Sequence, residues 1–305
     1  GPVAAGEVSS VEGYKFQPIK GYPMLNWRGK RPFTSTQFYP AQLKETYGEE
    51  VDGWRNKIFW GDNLQVMSHL LKEFRGKVDL IYIDPPFDSK ADYKKKIILQ
   101  GHSGQNDQSN FEEKQYTDLW NNDDYLQFMY ERLVIAKELL KQSGVIFLHC
   151  DWHKSHHLRM ILDEVFGASG FVNEIVWCYS IGGKGKKFFA RKHDTIFFYT
   201  KGRADSGEHI FNGDDPSVRM ARKPNSHMKL KVDEDGREYQ SKVDKKSGKE
   251  YRYYVDEGKI PEDYWTDIEQ LNREDAERSD YPTQKPTALL KRIVAAASNE
   301  GSLVL

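Results

Sequence analysis

The chain has 305 residues, and its 45 lysines and arginines are balanced by 46 aspartates and glutamates, which gives a formal net charge of -1. This length allows one large α/β domain or two smaller ones. The balanced charge excludes a global basic field, so a nucleic acid could be bound only by a local cluster of basic residues. The two cysteines, Cys150 and Cys178, exclude a disulfide framework and a four-cysteine metal site and indicate a reducing compartment. Gly1 and Pro2 are interpreted as a remnant of tag cleavage.

Regular structure is predicted to begin with a short buried strand over residues 58–60, followed by a helix over residues 63–74 with apolar residues at helical spacing. Residues 79–83 are mostly apolar and predict a strand, which ends at the two prolines that follow because proline cannot continue a central ladder. Residues 88–118 are charged and rich in Gly, Ser, Asn and Gln. This composition predicts a long mobile loop.

The next part of the chain alternates between helical and extended patterns. Helices are predicted over residues 123–142, ended by Gly144, and over residues 154–167, and strands over residues 145–149, 172–179 and 195–199. This alternation is typical of an α/β fold with a doubly wound, mainly parallel sheet. Ligands of such sheets bind at the carboxyl ends of the strands.

The character of the sequence changes over residues 201–264, which are highly charged and turn-rich with short alternating runs. These features predict a small antiparallel or irregular module inserted into the sheet domain. Beyond it, a helix is predicted to start at Pro286, and the apolar residues 302–305 begin a buried strand. The predicted parts are an N-terminal extension (1–50), the sheet domain (51–200 and 265–305) and the inserted module (201–264).

The most informative feature is the tetrapeptide Asp84, Pro85, Pro86 and Phe87, which ends an apolar strand. Consecutive prolines fix the backbone and remove two donors, which leaves carbonyl oxygens able to accept hydrogen bonds. The carboxylate adds an acceptor and the phenyl ring offers a stacking face, a set that suits the amino group of a nucleobase. Drawing both N–H hydrogens out of the ring plane would direct the nitrogen lone pair at an electrophile. Taken alone, four residues are equally compatible with an ordinary strand-end turn.

Three segments, in this order, resemble motifs of one enzyme family. They are residues 58–64, which resemble the strand with an acidic cofactor contact, residues 80–87, which resemble the catalytic motif, and residues 281–286, which resemble the segment before the glycine-rich cofactor loop. The family is that of the DNA amino-methyltransferases with the permuted β order of motifs, shared with the modification (Mod) subunits of type III restriction systems. The resemblance covers residues 58–200 and 265–305, and it implies a permuted, Rossmann-like methyltransferase fold.

The resemblance also implies a function. The expected reaction is methyl transfer from S-adenosylmethionine to N6 of an adenine that is flipped out of double-stranded DNA. The catalytic role would fall to Asp84, Pro85, Pro86 and Phe87. The cofactor-binding positions that match the family motifs are Asp62, Asn63, Asp84, Thr283, Gln284, Lys285 and Pro286. A homodimer or a restriction subunit is the implied protein partner, the cytoplasm near the nucleoid is the implied location, and no metal or membrane is implied.

The family continues from a strand like residues 303–305 into a glycine-rich turn that is outside this sequence. Such a turn lets the backbone approach the cofactor closely. We therefore expect this chain alone to bind S-adenosylmethionine weakly and to turn over poorly.

Several of these residues also have simpler interpretations. Asp62 could be an ordinary helix N-cap, and Lys285 could be a solvated loop lysine. The flipped base could stack between Phe87 and an aromatic residue of the following strand pair, for which the candidates are Trp177, Tyr179, Phe188 and Phe189. Any one of these four is more typical of a core residue.

Two basic clusters are candidates for contact with DNA phosphates. The predicted DNA-binding residues are Lys94, Lys95 and Lys96 in the loop after the catalytic motif, and Lys184, Lys186, Lys187, Arg191 and Lys192 around a glycine-rich turn. The inserted module occupies a place where related enzymes often carry target recognition. A charge run is usually a solvated surface, so only the position beside the catalytic strand end favours a DNA-binding role.

Other functions are compatible with the same residues. Cytosine-N4 methylation uses the same geometry, although Asp84 favours adenine because the cytosine branch more often resembles Ser-Pro-Pro. A non-catalytic DNA-binding or specificity subunit is a second alternative. Methylation of RNA or of a protein amide is a third, for which Asn usually stands where Asp84 does.

Overall fold

The computed structural model describes residues 13–19, 24–87, 92–97, 111–117, 122–180, 187–272, 274–279, 281 and 283–305. The strands are β1 (Gly13–Lys15), β2 (Ser35–Gln37), β3 (Val78–Ile83), β4 (Asp92–Ile97), β5 (Phe111–Thr117), β6 (Leu140–Cys150), β7 (Phe171–Cys178), β8 (His193–Thr200), β9 (Lys231–Val232), β10 (Glu238–Val243), β11 (Glu250–Tyr254) and β12 (Tyr264–Trp265). The helices are α1 (Asn63–Phe74), α2 (Asn122–Leu139), α3 (Ser155–Phe166) and α4 (Thr287–Ala297). None of the helices in these ranges is both long and apolar enough to cross a membrane.

The central sheet has the strand order β12-β7-β8-β6-β3. β3 pairs in parallel with β6, and β12 pairs in parallel with β7, while β8 runs antiparallel to both of its neighbours. The last residues of the chain add to the other edge of β3, where the Leu305 amide donates to the Leu80 carbonyl at 2.9 Å in a parallel arrangement. The predicted mainly parallel α/β sheet is therefore confirmed.

Helices cover both faces of this sheet because successive strand residues point to opposite sides. Ile81 and Ile146 lie in a core cluster with residues of α1, α2 and α3. Leu80 and Val145 lie in a second cluster with Leu289 and other residues of α4. Strands covered on both faces are nearly continuously apolar, as residues 145–148 of β6 are. The sheet is thus doubly wound, as predicted.

The short strand predicted at residues 58–60 is wrong. These residues lie in irregular backbone, with Ile58 100% and Trp60 88% exposed, and only Phe59 packs against the core. A run of three apolar residues forms a strand only if a neighbouring strand completes its hydrogen bonds. Among the described residues none pairs with this segment.

The boundary between the second helix and the next strand was also predicted wrongly. α2 ends at Leu139 and β6 begins at once with Leu140, which pairs with Val78 before the register shifts. Gly144 lies inside the strand, where an added Cβ would be 2.8 Å from the Val78 carbonyl oxygen. The glycine is required by the close approach of two strands and does not end a helix.

The long loop predicted at residues 88–118 contains an antiparallel strand pair, β4 with β5. The prediction failed because charged residues hide any apolar periodicity. The two strands are defined by their mutual backbone hydrogen bonds, which is a relationship between distant residues.

The residues over 201–264 contain a three-stranded antiparallel sheet in the order β11-β10-β9. Asn212 attaches this region to the end of α4, because its side-chain amide donates to the carbonyl oxygens of Ala295 and Ser298 at 3.0 and 2.9 Å. The module therefore has a fixed contact with the helix that Lys285 precedes.

Candidate active site

The carboxyl end of β3 brings Asp84 into contact with Lys285. The Lys285 Nζ donates to Asp84 Oδ2 at 2.7 Å, and the lysine side chain is only 12% exposed. The same Nζ lies 3.2 Å from the Thr283 carbonyl oxygen and 5.0 Å from the centre of the Phe87 ring. Lys285 is therefore part of a compact cluster and is not a solvated loop lysine.

The loop before α4 fixes the position of this lysine. Pro286 is buried and begins the helix as its N-cap, in extended backbone. Gln284 organises the preceding loop: its Oε1 accepts from the Ser279 amide at 2.6 Å and its Nε2 donates to the Glu277 carbonyl at 2.7 Å. The Gln284 side chain thus holds the backbone from which Lys285 extends.

The two prolines differ in whether their carbonyl oxygens accept a hydrogen bond from the protein. Tyr125, in the first turn of α2 and fully buried, donates its hydroxyl to the Pro86 carbonyl at 2.8 Å. Among the described residues no donor contacts the carbonyl of Pro85, which is itself buried. The Asp84 carboxylate and the Pro85 carbonyl are therefore two acceptors of the tetrapeptide that remain for a ligand.

Asp62 and Asn63 form a second cluster around Arg132, a residue that no sequence motif indicates. Asp62 caps α1 through Oδ1, which accepts from the amides of Leu64 and Gln65, and its Oδ2 accepts from Arg132 at 2.7 Å. Arg132 also donates to Asn63 Oδ1 and is 6% exposed. Burial lowers the pKa of the arginine, and the Asp62 carboxylate opposes that shift. The only signal in the sequence is an arginine beside the apolar residues 133–136 of α2.

A buried polar network lies behind Phe87. His149 is fully buried, with Nδ1 2.8 Å from the Tyr82 hydroxyl and Nε2 3.0 Å from Asp194 Oδ2. Tyr179 donates to the other oxygen of Asp194 at 3.2 Å. Burial, followed by nearby carboxylates that include Asp194, raises the pKa of both tyrosines, so both stay neutral hydroxyls at physiological pH.

The other aromatic candidates divide into core and surface. Trp177 is 1% exposed and donates to the Ile268 carbonyl at 2.7 Å, so it is a core residue. Phe188 and Phe189 are 60% and 98% exposed. They lie in the connection between β7 and β8, on the edge of the sheet where β3 ends, because β3, β6 and β7 run in the same direction.

The predicted DNA-binding residues lie in two places. Lys94, Lys95 and Lys96 belong to β4, where the register pairs them with residues 112–114 of β5. Lys187 and Arg191 are exposed in the β7–β8 connection, and the Arg191 guanidinium lies 3.8 Å from the centre of the Trp152 ring. Lys192 is partly buried beside them, and its carbonyl accepts from the Tyr179 amide. Lys184 and Lys186 lie outside the described residues.

Comparison with known proteins gives the family. Residues 78–305, which include the whole of the Asp84 cluster, match the N6/N4 methyltransferase family, described as DNA methylase. The chain belongs to the N6/N4 DNA methylase family.

Individual relatives agree with this family assignment. The chain is 31% identical to the type III restriction-modification enzyme EcoPI Mod subunit of Escherichia phage P1 over 205 residues, which are 59% of this chain and 30% of that protein. It is 28% identical to the type II methyltransferase M.EcaI of Enterobacter cloacae over 82% of this chain and 61% of that protein. The chain thus spans less than two thirds of the length of either relative. Among solved structures, the M1.HpyAVI–SAM complex is 15% identical, with a TM-score of 0.41 and coverage of 81% of this chain and 79% of that one.

Proposed function

We propose that this N6/N4 DNA methylase chain carries the catalytic strand end of an enzyme that transfers a methyl group from S-adenosylmethionine to N6 of a flipped adenine in double-stranded DNA. The observation that carries the proposal is the cluster of Asp84, Phe87 and Lys285 at the carboxyl end of β3. Ligands of doubly wound sheets bind at this edge. The names of the relatives, which are Mod subunits and type II methyltransferases, support the same reaction.

The cluster has the acceptors that an exocyclic amine requires. Lys285 contacts one oxygen of Asp84, and a carboxylate can accept about four hydrogen bonds, so one amine hydrogen can be accepted by Asp84. The Pro85 carbonyl can accept the second hydrogen, because the Pro86 carbonyl is already bonded to Tyr125. With both hydrogens held, the nitrogen lone pair is directed away from the ring plane. Phe87 offers its half-buried ring for stacking with the base.

The residues around α1 fit S-adenosylmethionine as the methyl donor. Asp62 has used about three of its four acceptor positions, on two helix amides and Arg132, and its side chain is 48% exposed. One position on Oδ2 therefore remains for a donor group of the cofactor. When bound, the cofactor would supply a methyl group carried on a positively charged sulfur, which would leave with the C–S bonding electrons. The nitrogen then loses one proton, for which Asp84 is an acceptor within the cluster.

Each predicted cofactor residue has a distinct proposed role. Asp62 is proposed to contact the cofactor, and Asn63 to hold Arg132 beside it. Thr283 and Gln284 would shape the loop that carries Lys285, and Pro286 would start α4 at the correct position.

DNA is the proposed macromolecular partner, bound at the edge of the sheet that carries Asp84. Lys187, Arg191 and Lys192 lie at this edge, and Lys94 to Lys96 follow the catalytic motif in sequence, so all are proposed to contact phosphates. The region over 201–264 is proposed to recognise the target sequence, with residues 51–200 and 265–305 as the catalytic part. A restriction subunit is a further proposed partner, supported by the names of the type III relatives.

The test is methylation of DNA by the protein, followed by digestion of the DNA and mass spectrometry of the nucleosides. We expect N6-methyldeoxyadenosine, and we expect Asp84→Ala to abolish it while Asp205→Ala, which removes an exposed carboxylate paired with Arg203, does not. A product of N4-methyldeoxycytidine would instead assign the cytosine branch, which the family also includes. Methylation at the parental rate by Asp84→Ala would refute the proposed role of this cluster.

A further inference from the structure

The polar network behind Phe87 has an unusual composition for the centre of a sheet. His149 and Asp194 are 0% and 6% exposed, and Tyr82 and Tyr179 complete the set. These four residues lie on the face that α4 covers, together with the apolar residues of the second core cluster. Apolar side chains could fill the same space without removing a carboxylate from water, which is costly.

In a neutral imidazole, the hydrogen bonds determine which nitrogen of His149 carries the proton. A carboxylate only accepts, so Nε2–H donates to Asp194 Oδ2 at 3.0 Å. Nδ1 is then the acceptor, and the Tyr82 hydroxyl donates to it at 2.8 Å. Both ring nitrogens are therefore bonded, and the imidazole cannot rotate about its χ2 bond without breaking both contacts.

The held imidazole lies between two aromatic rings. Its centre is 5.7 Å from the Phe87 ring at 38° and 5.7 Å from the Trp177 ring at 81°. Trp177 is itself fixed by its bond to the Ile268 carbonyl. A continuous series of contacts thus leads from a fixed core residue to the ring that ends the catalytic motif.

We propose that His149, oriented by Tyr82 and Asp194, is a positioning residue that sets the plane of Phe87 for stacking with the target base. The proposal rests on the proposed function, because it assigns a role to the support of the same site. The network contacts neither Asp62 nor Lys285 among the hydrogen bonds of the described residues. Its loss should therefore impair base placement and leave cofactor binding unchanged.

The experiment compares the parent protein with three variants, Tyr82→Phe, Asp194→Leu and Asp194→Asn. The matched control is Tyr199→Phe, which also removes one buried tyrosine hydroxyl bond, from Tyr199 to Asp163 at 2.6 Å, on the opposite face of the same sheet. Two readouts are taken: kcat with KM for S-adenosylmethionine, and the fluorescence lifetime of 2-aminopurine at the target position of the DNA. Thermal melting checks that each variant is folded.

We expect Tyr82→Phe and Asp194→Leu to lower kcat by about 10- to 100-fold with KM for the cofactor unchanged, since small displacements of a reacting group have effects of this size. Stacking on Phe87 should give 2-aminopurine a short fluorescence lifetime. This lifetime should lengthen in both variants, as it should in Phe87→Ala. Asp194→Asn keeps an acceptor for His149 and should recover most of the loss, and Tyr199→Phe should stay within about 2-fold of the parent.

The proposal is overturned if Tyr82→Phe and Asp194→Leu behave like Tyr199→Phe in both readouts, or if Asp194→Asn is as impaired as Asp194→Leu. A fall in melting temperature with unchanged kcat and lifetime would mean a purely structural role and overturns it as well. A parent protein that neither methylates DNA nor changes the 2-aminopurine signal would refute the proposed function itself. The parent therefore tests the function, and the variants test the network.

Discussion

Lys285 and Asp84 are 201 positions apart in the sequence, yet Lys285 Nζ donates to Asp84 Oδ2 at 2.7 Å. The contact joins the carboxyl end of β3 to the residue that precedes the start of α4. It also places a cation 5.0 Å from the centre of the Phe87 ring. The Lys285 side chain therefore contacts two other residues of the proposed active site.

The first prediction concerns this lysine. Lys285→Met removes the cation that holds Asp84 and should lower kcat/KM for DNA methylation by about 10- to 100-fold, because a misplaced reacting group has effects of this size. Lys285→Arg keeps the charge but changes its geometry, so its kcat/KM should lie between the values of Lys285→Met and the parent. The measurement is single-turnover methyl transfer. Lys291→Met, on the exposed side of α4, is the control, and an equal loss there would contradict the specific role of Lys285.

The second prediction concerns the rigidity of the proline pair. Tyr125→Phe removes the hydrogen bond to the Pro86 carbonyl, which leaves that partly buried acceptor without its donor. The free energy of unfolding should fall by about 1 kcal/mol, and kcat should fall because the Pro85 carbonyl loses its fixed position. Urea unfolding and steady-state kinetics measure the two effects. Loss of stability with unchanged kcat would show that the Pro86 bond supports the fold alone.

The sequence predicts the residues at the centre of the proposed site better than the residues that hold them in place. Asp84 and Lys285 were identified because both belong to short motifs with a fixed order. Arg132 and Tyr125 were missed because their partners, Asp62 and the Pro86 carbonyl, are 70 and 39 residues away. Within α2, Arg132 is marked only by its position beside the apolar residues 133–136, and nothing distinguishes Tyr125 from other residues on the buried face.

The same distinction applies to the fold. Helices α1 and α3 and the start of α4 agree with the prediction within one or two residues, because apolar spacing and local end signals define them. The errors at residues 58–60 and in β4 and β5 concern strands, whose formation depends on a distant partner. Gly144 is the clearest example, since its meaning depends on the Val78 carbonyl of another strand.

The third prediction concerns the cofactor residues. Arg132→Leu leaves Asp62 and Asn63 without their shared donor, and we expect the Kd for S-adenosylmethionine to rise by about 10-fold, which corresponds to about 1.4 kcal/mol. Calorimetry measures this affinity. The control is Arg75→Leu, because Arg75 makes the other arginine–carboxylate pair between α1 and α2, with Glu138 at 2.7 Å. A similar loss of affinity in Arg75→Leu would mean that Arg132 acts only through the packing of the two helices.

The fourth prediction concerns the edge at which DNA is proposed to bind. Lys187 and Arg191 are exposed in the β7–β8 connection, and exposed cations that contact phosphates release counterions on binding. The double variant Lys187→Ala with Arg191→Ala should weaken DNA binding at every sequence and reduce the slope of log K against log salt by about 2. Fluorescence anisotropy with a duplex at several salt concentrations measures both. Arg203→Ala serves as the control, since Arg203 is exposed and paired with Asp205 at 2.7 Å. If the double variant keeps the parental slope, the phosphates are bound elsewhere. If Arg203→Ala lowers the slope as much as the double variant does, the effect comes from general charge and not from contacts at this edge.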